Sequence, residues 1–165
     1  MAGTGTTVRR ATATDARGLA EVHIRAWRIS YAGLIPQATL DRLDVSARTR
    51  AWERILASDR DPTWAAVAGH RVLGFASSGA ARDAAPPARL ELYSIYVDPD
   101  RHGAGVAEPL LDAAIGDRPA YLWVLAGNAR AIRFYEKQGF DLDGGAKDET
   151  AADGTPMHEL RMTRS

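Results

Sequence analysis

Between the β-leaning run LELYSIYV (90–97) and the apolar run LLDAAI (110–115) the chain carries RHGAGVAEP, with two glycines two residues apart. A strand that passes through bare backbone straight into a helix narrows what this sequence can become. The first N–H groups of a helix lack intrahelical partners, and the helix dipole adds positive character there. Phosphate binds such a terminus when side chains leave the backbone approachable. Gly103, Ala104, Gly105, Val106 and Ala107 keep most of this turn small, and Arg101 and His102 stand beside it. The segment is a candidate diphosphate cradle; the plainer alternative is a glycine turn that binds nothing. A P-loop would need Gly-Lys-Ser/Thr where Ala107-Glu108-Pro109 stand, and the dinucleotide pattern wants a third glycine at Glu108. Neither applies.

The rest of the chain organises around that junction. Residues up to Thr6 are small and polar and predict a mobile start. Thr7 to Ala11 suits a short strand. Thr14 or Asp15 then caps a helix with Leu19, Val22, His23, Ala26 and Trp27 at spacings of three and four. Two short helices follow, broken at Gly33 and Pro36. TWAAVAG and RVLGFASSG form a hairpin around Gly69-His70, and AARDAAPPAR is a loop. After LELYSIYV come a helix from about Gly105 to Ile115, the strand AYLWVLA and the helix NARAIRFYEKQ. GFDLDG and PMHELRMTR close the chain as strands. At 165 residues this is one domain of mixed α/β class, with no repeat and no linker.

Composition removes several chemistries. There is no cysteine, which excludes disulfides, zinc-thiolate sites and a thiol nucleophile. The 21 basic and 21 acidic residues cancel, so no general nucleic-acid footprint is expected. No apolar run approaches a membrane span of ~20 residues, and the start lacks the apolar centre of a secretory signal. A cytoplasmic protein is expected, with neither membrane nor nucleic acid as partner.

NARAIRFYEKQG (128–139) is the other informative run. Asn128 is a good N-cap directly after a strand. Tyr135 lies seven residues on, about two helical turns, so both can line one groove. Core packing is the competing role for the tyrosine.

Taken together, IYVDPDRHGAGVAEPLL and LWVLAGNARAIRFYEKQGF resemble the two signature motifs of the GNAT superfamily of acetyl-CoA-dependent N-acetyltransferases. Gly105 and Ala107 fit the first motif, while His102 occupies its usual Arg/Gln position. AWRISYAGLIP near the start and the closing HELRM are similar too, so the resemblance spans essentially the whole chain in order. It implies a GNAT-like single domain over residues 1–165, with a central, mostly antiparallel, splayed sheet of about seven strands flanked by helices. It implies acetyl-CoA as co-substrate, no metal, and direct transfer of the acetyl group to a primary amine of a small molecule or peptide.

The resemblance also distributes roles. Ile95, Tyr96 and Val97 would pair with the pantetheine amides, and an N–H near Val97 would polarise the thioester carbonyl. His102, Gly103, Ala104, Gly105, Val106, Ala107 and Glu108 would take the diphosphate, and Asn128 the pantetheine or sulfur region. Tyr135 would protonate the departing thiolate. Ala126 stands where many family members carry a carboxylate, so the proton acceptor must lie elsewhere. Glu91 is the first candidate, against a solvated strand-end carboxylate. Trp27, Tyr31 and Tyr93 are assigned to the acceptor pocket, with Leu34 beside them. His23, on an apolar helical face, is expected to be a satisfied packing histidine. A non-catalytic acyl-CoA-binding sensor is the alternative function, an interaction domain a third, and a homodimer fits all three.

Overall fold

A computed structural model describes residues 5–151 and 154–165. The expected mobile start falls mainly on residues 1–4, which lie outside the described residues. In chain order the elements are β1 (Thr7–Arg10), α1 (Ala16–Ser30), α2 (Gln37–Asp41), α3 (Val45–Leu56), β2 (Thr63–Ala68) and β3 (Arg71–Ala80). They continue with β4 (Leu90–Val97), α4 (Ala107–Ile115), β5 (Ala120–Leu125), α5 (Ala129–Lys137), β6 (Asp141–Thr150) and β7 (Pro156–Arg164). The strands form one sheet in the order β1-β2-β3-β4-β5-β7-β6. Neighbours run antiparallel except β4 and β5, which are parallel.

Apolar alternation along the strands supplies both faces of the sheet. Leu73, Leu92, Leu122, Val124 and Met162 join Leu110, Leu111 and Ile115 of α4, and Tyr135 and Phe140 around α5, in one core. Leu19, Ala20 and Val22 of α1 pack with Trp52 of α3 against Val67, Val72 and Phe75 in another. Gly74 lets β3, β4 and α4 approach: a Cβ there would meet the Tyr96 carbonyl at 2.9 Å and Leu110 at 3.0 Å. Among the described residues no helix is long and apolar enough to cross a membrane.

Two boundaries differ from the sequence expectation. The helix after the glycine turn begins at Ala107, not Gly105, because Gly105 sits at φ +70° and cannot belong to a right-handed helix. The strand expected at GFDLDG runs on to Thr150. Its extension is a polar edge that pairs with β7 from Ala146 to Thr150, so no apolar alternation announced it.

One departure from regular pairing creates the working part of the sheet. β4 pairs with β5 only at Leu90–Ala120, Glu91–Tyr121 and Leu92–Leu122. Beyond Leu92 the strands part, and the β5-facing backbone of residues 93–97 has no strand partner among the described residues. On its other edge β4 pairs with β3, where the register shifts so that Tyr93 falls unpaired between Leu92 and Ser94. A bulge of this kind bends a strand and re-aims its side chain. Here it begins the splay.

Candidate active site

The gap between β4 and β5 opens into a cleft of about 550 Å³. Residues of β4, the loop to α4, β5, α5 and β7, together with the end of α1, line it. Several sequence-derived candidates meet there: Ile95, Tyr96, Val97, His102, Gly103, Gly105, Val106, Ala107, Glu108, Asn128, Tyr135, Tyr31 and Tyr93. Ala104, Trp27 and Glu91 are not on its walls.

The glycine loop is held by its flanks. Asp98 ends β4 with its side chain only 3% exposed, and accepts from Arg25 at 2.9 Å, Arg71 at 3.0 Å and the Asp100 N–H at 3.0 Å. Val106, buried, anchors the other side. Gly103 and Gly105 both have positive φ, +76° and +70°, and a Cβ on either would find nothing within 4 Å. The turn thus needs glycine for its backbone shape. It leaves bare backbone at the mouth of α4, where the first N–H groups are free of intrahelical partners. Ala104 closes the turn through its N–H to the Arg101 carbonyl at 3.2 Å.

His102 does not act as a cation. Burial and the neighbouring Arg130 guanidinium push its pKa down, and Arg130 Nη1 hydrogen-bonds His102 Nδ1. Positive charge beside the loop comes from Arg101 and from α5. Arg130, Arg133 and Lys137, at helical spacings of three and four, line the cleft with Arg101.

Asn128 caps α5, accepting from the Ala131 N–H at 3.3 Å, as its position after β5 suggested. Tyr135 is buried, with its ring against Phe134 and Phe140 at 5.4 and 5.9 Å. Burial pushes its pKa well up, so the hydroxyl stays protonated. Tyr135 lines the cleft, and its hydroxyl makes no hydrogen bond among the described residues.

The opposite wall is aromatic. Tyr31 and Tyr96 share a hydroxyl–hydroxyl bond of 3.0 Å. Trp27 packs edge-on to Tyr31 at 4.9 Å and belongs to the supporting core. His23 stacks on Tyr96 at 5.1 Å. It is a packing residue, but not a satisfied one: Nδ1 is buried with no hydrogen-bond partner among the described residues. Burial lowers its pKa to about 3, so the ring stays neutral.

Glu91 lies neither in solvent nor in the cleft. It is 2% exposed, and its carboxylate accepts from the Arg82 guanidinium at 2.7 Å, the Arg82 N–H at 2.9 Å and the Tyr121 hydroxyl at 2.9 Å. Although burial opposes the charged form, these donors bring its pKa below the usual carboxylate value. The loop 81–89 folds back over the sheet to make this pairing. The sequence alone could not show that.

The cleft also holds a carboxylate that sequence reasoning missed. Glu159 of β7 is opposite Leu125 of β5 and Lys147 of β6. Burial, reinforced by Glu149, raises its pKa despite Lys147 and Arg82 nearby. Period-two alternation in PMHELRMTR puts Met157, Glu159 and Arg161 on one face. Which face borders the cleft depends on register with β5.

Comparison with known proteins agrees with this architecture. Residues 24–140 match the profile of the family described as Acetyltransferase (GNAT). The chain is 28% identical over 142 residues to a probable N-acetyltransferase of Mycobacterium tuberculosis, covering 83% of this chain and 80% of that one. The PaiA N-acetyltransferase of Thermoplasma acidophilum, solved in complex with coenzyme A, superposes with a TM-score of 0.68. It is 18% identical, with 98% of this chain and 99% of that chain covered. A putative acetyltransferase of Salmonella typhimurium, solved with acetyl-CoA, gives 0.67 at 21% identity, covering 96% and 92%.

Proposed function

We propose that this chain, which belongs to the GNAT family and is an acyltransferase, moves the acetyl group of acetyl-CoA directly onto a primary amine. The observation that carries the proposal is the slot between β4 and β5, with unpaired strand backbone along one side, bare glycine backbone at one end and Tyr135 on its lining. Relatives solved with coenzyme A or acetyl-CoA support the choice of donor.

The residues fit that donor group by group. The β5-facing amides and carbonyls of residues 93–97 can satisfy the amides of an extended pantetheine as an added strand would. The loop from His102 to Glu108 offers N–H groups at the start of α4 for a diphosphate. Arg130 supplies the cation that His102 lacks, and its planar fork suits phosphate oxygens. Asn128 spends its side-chain oxygen on the cap and keeps its NH2 for the sulfur end of the ligand. A backbone N–H near Val97 stabilises the oxyanion that forms when an amine attacks the thioester carbonyl. Tyr135, protonated at any working pH, gives its proton to the departing thiolate. The absence of cysteine suits direct attack without a thiol intermediate.

Titration calorimetry with acetyl-CoA tests this at its first step. Wild-type protein is expected to bind, and Arg130→Ala to bind about 10-fold more weakly, with the difference shrinking in high salt as screening takes over. Absence of acetyl-CoA binding by the wild-type chain would overturn the reading.

A further inference from the structure

We infer that Glu159, Trp123 and Tyr93 form the amine-acceptor site, in which Glu159 takes the proton of an incoming ammonium. The acceptor is then a primary amine on an apolar or aromatic body, with no carboxylate beside the nitrogen. The inference rests on the acetyl transfer proposed above.

Geometry supports the assignment from three sides. Trp123, Leu125 and Glu159 share one face of the sheet, since Leu125 is opposite Glu159 and Trp123 is opposite Arg161. All three line the cleft, together with Tyr93 at the bulge and the Tyr31–Tyr96 pair. The cleft walls beside the carboxylate thus include rings and aliphatic carbon, with the Lys147 ammonium as the nearest charge.

The indole is held rigidly. Its Nε1 donates to Asp83 at 3.1 Å, and Lys147 Nζ stands 4.5 Å from the ring centroid. That same ammonium is 3.5 Å from Glu159 Oε2. The protein thus already places one primary ammonium against both Trp123 and Glu159, the pairing a substrate amine would use. Lys147 occupies Oε2, and Oε1 has no partner among the described residues.

Charge argues against a carboxylate on the acceptor. Among the described residues the cations on this side are committed: Lys147 to Glu149 and Glu159, Arg161 to Asp83 and Asp143, and Arg82 to Glu91. Of the other cations lining the cleft, Arg101 and Arg130 flank the glycine loop, and Arg133 and Lys137 lie further along α5. A free amino acid would bring its carboxylate beside Glu159 with no cation to receive it, and like charges repel.

The proton balance closes. An amine arrives as R–NH3+ and passes one proton to the Glu159 carboxylate. The neutral nitrogen attacks the thioester carbonyl, forming C–N as C–S breaks. Tyr135 protonates the thiolate and regains a proton from the nitrogen. The products are an amide, coenzyme A thiol and one proton that Glu159 returns to water. A carboxylate raised by burial is better matched to this task than an exposed one. The charged groups facing it are Lys147 and Glu149 from β6 and Arg82 from the 81–89 loop, with the Tyr31 and Tyr96 hydroxyls nearby.

The test uses the 165-residue chain, with phenethylamine, phenylalaninamide and phenylalanine as acceptors and calorimetry of acetyl-CoA run in parallel. The first two amines are expected to react, with phenylalanine at least about 100-fold poorer in kcat/KM. Equal use of phenylalanine would overturn the substrate class. Glu159→Gln is expected to lower kcat/KM about 100-fold at pH 7 and progressively less toward pH 9.5, where free amine is supplied by solvent. Its acetyl-CoA affinity is expected to match wild type. A loss equal at every pH, or no loss, would remove Glu159 as proton acceptor. Failure of acetyl-CoA to bind wild type would instead remove the transfer reading beneath it.

Discussion

Replacing Tyr135 by phenylalanine is expected to lower kcat about 100-fold or more, because a positioned general acid contributes roughly 10²–10⁴ in rate. The ring contacts with Phe134 and Phe140 do not use the hydroxyl, so the fold and the cleft wall should persist. Acetyl-CoA affinity is expected to change by no more than about twofold, the hydroxyl's contribution being spent in the transition state. Steady-state kinetics beside calorimetry separates the two quantities. Unchanged kcat would take Tyr135 out of the chemistry and leave it as packing.

Glu91→Gln is expected to do the reverse. A neutral amide cannot serve the Arg82 guanidinium, the Arg82 N–H and the Tyr121 hydroxyl as the carboxylate does. Breaking a buried, multiply bonded carboxylate costs several kcal/mol in a closed interior. Arg82 is more than half exposed, so about 2 kcal/mol is the expected loss, read by denaturant titration. Turnover per folded molecule should stay within about twofold of wild type at pH 7. The pH dependence has a definite sign. Because the Glu91 pKa is depressed in the fold, its contribution is present above the ordinary glutamate range and is lost as pH falls through the depressed value. The glutamine variant should therefore lose less stability on acidification than wild type. A collapse of activity at unchanged stability would return Glu91 to the proton transfer.

These two residues mark where sequence reasoning reaches and where it stops. The place of Tyr135 beside Asn128 on the cleft lining was legible because its argument is local: helical spacing brings both toward one groove, whatever the rest of the chain does. The glycine turn was legible for the same reason, since its conformation depends on its own residues. Even there the motif did not show Arg130, which α5 brings against His102. Glu91 and Glu159 differ in nothing a strand pattern can see. Their environments are decided by a returning loop in one case and by β5–β7 register in the other. The splay of β4 from β5 is likewise a relation between strands, with only the bulge at Tyr93 as a local sign.

Release of coenzyme A thiol from acetyl-CoA, followed with a thiol reagent with and without a primary amine, tests the central claim most directly. A chain with no cysteine adds no background to that signal. The account predicts release that depends on amine and saturates with it, together with recovery of the acetylated amine. Bound acetyl-CoA without amine-dependent release, across small amines and peptides alike, would contradict it and leave a chain that holds the acyl donor without transferring it.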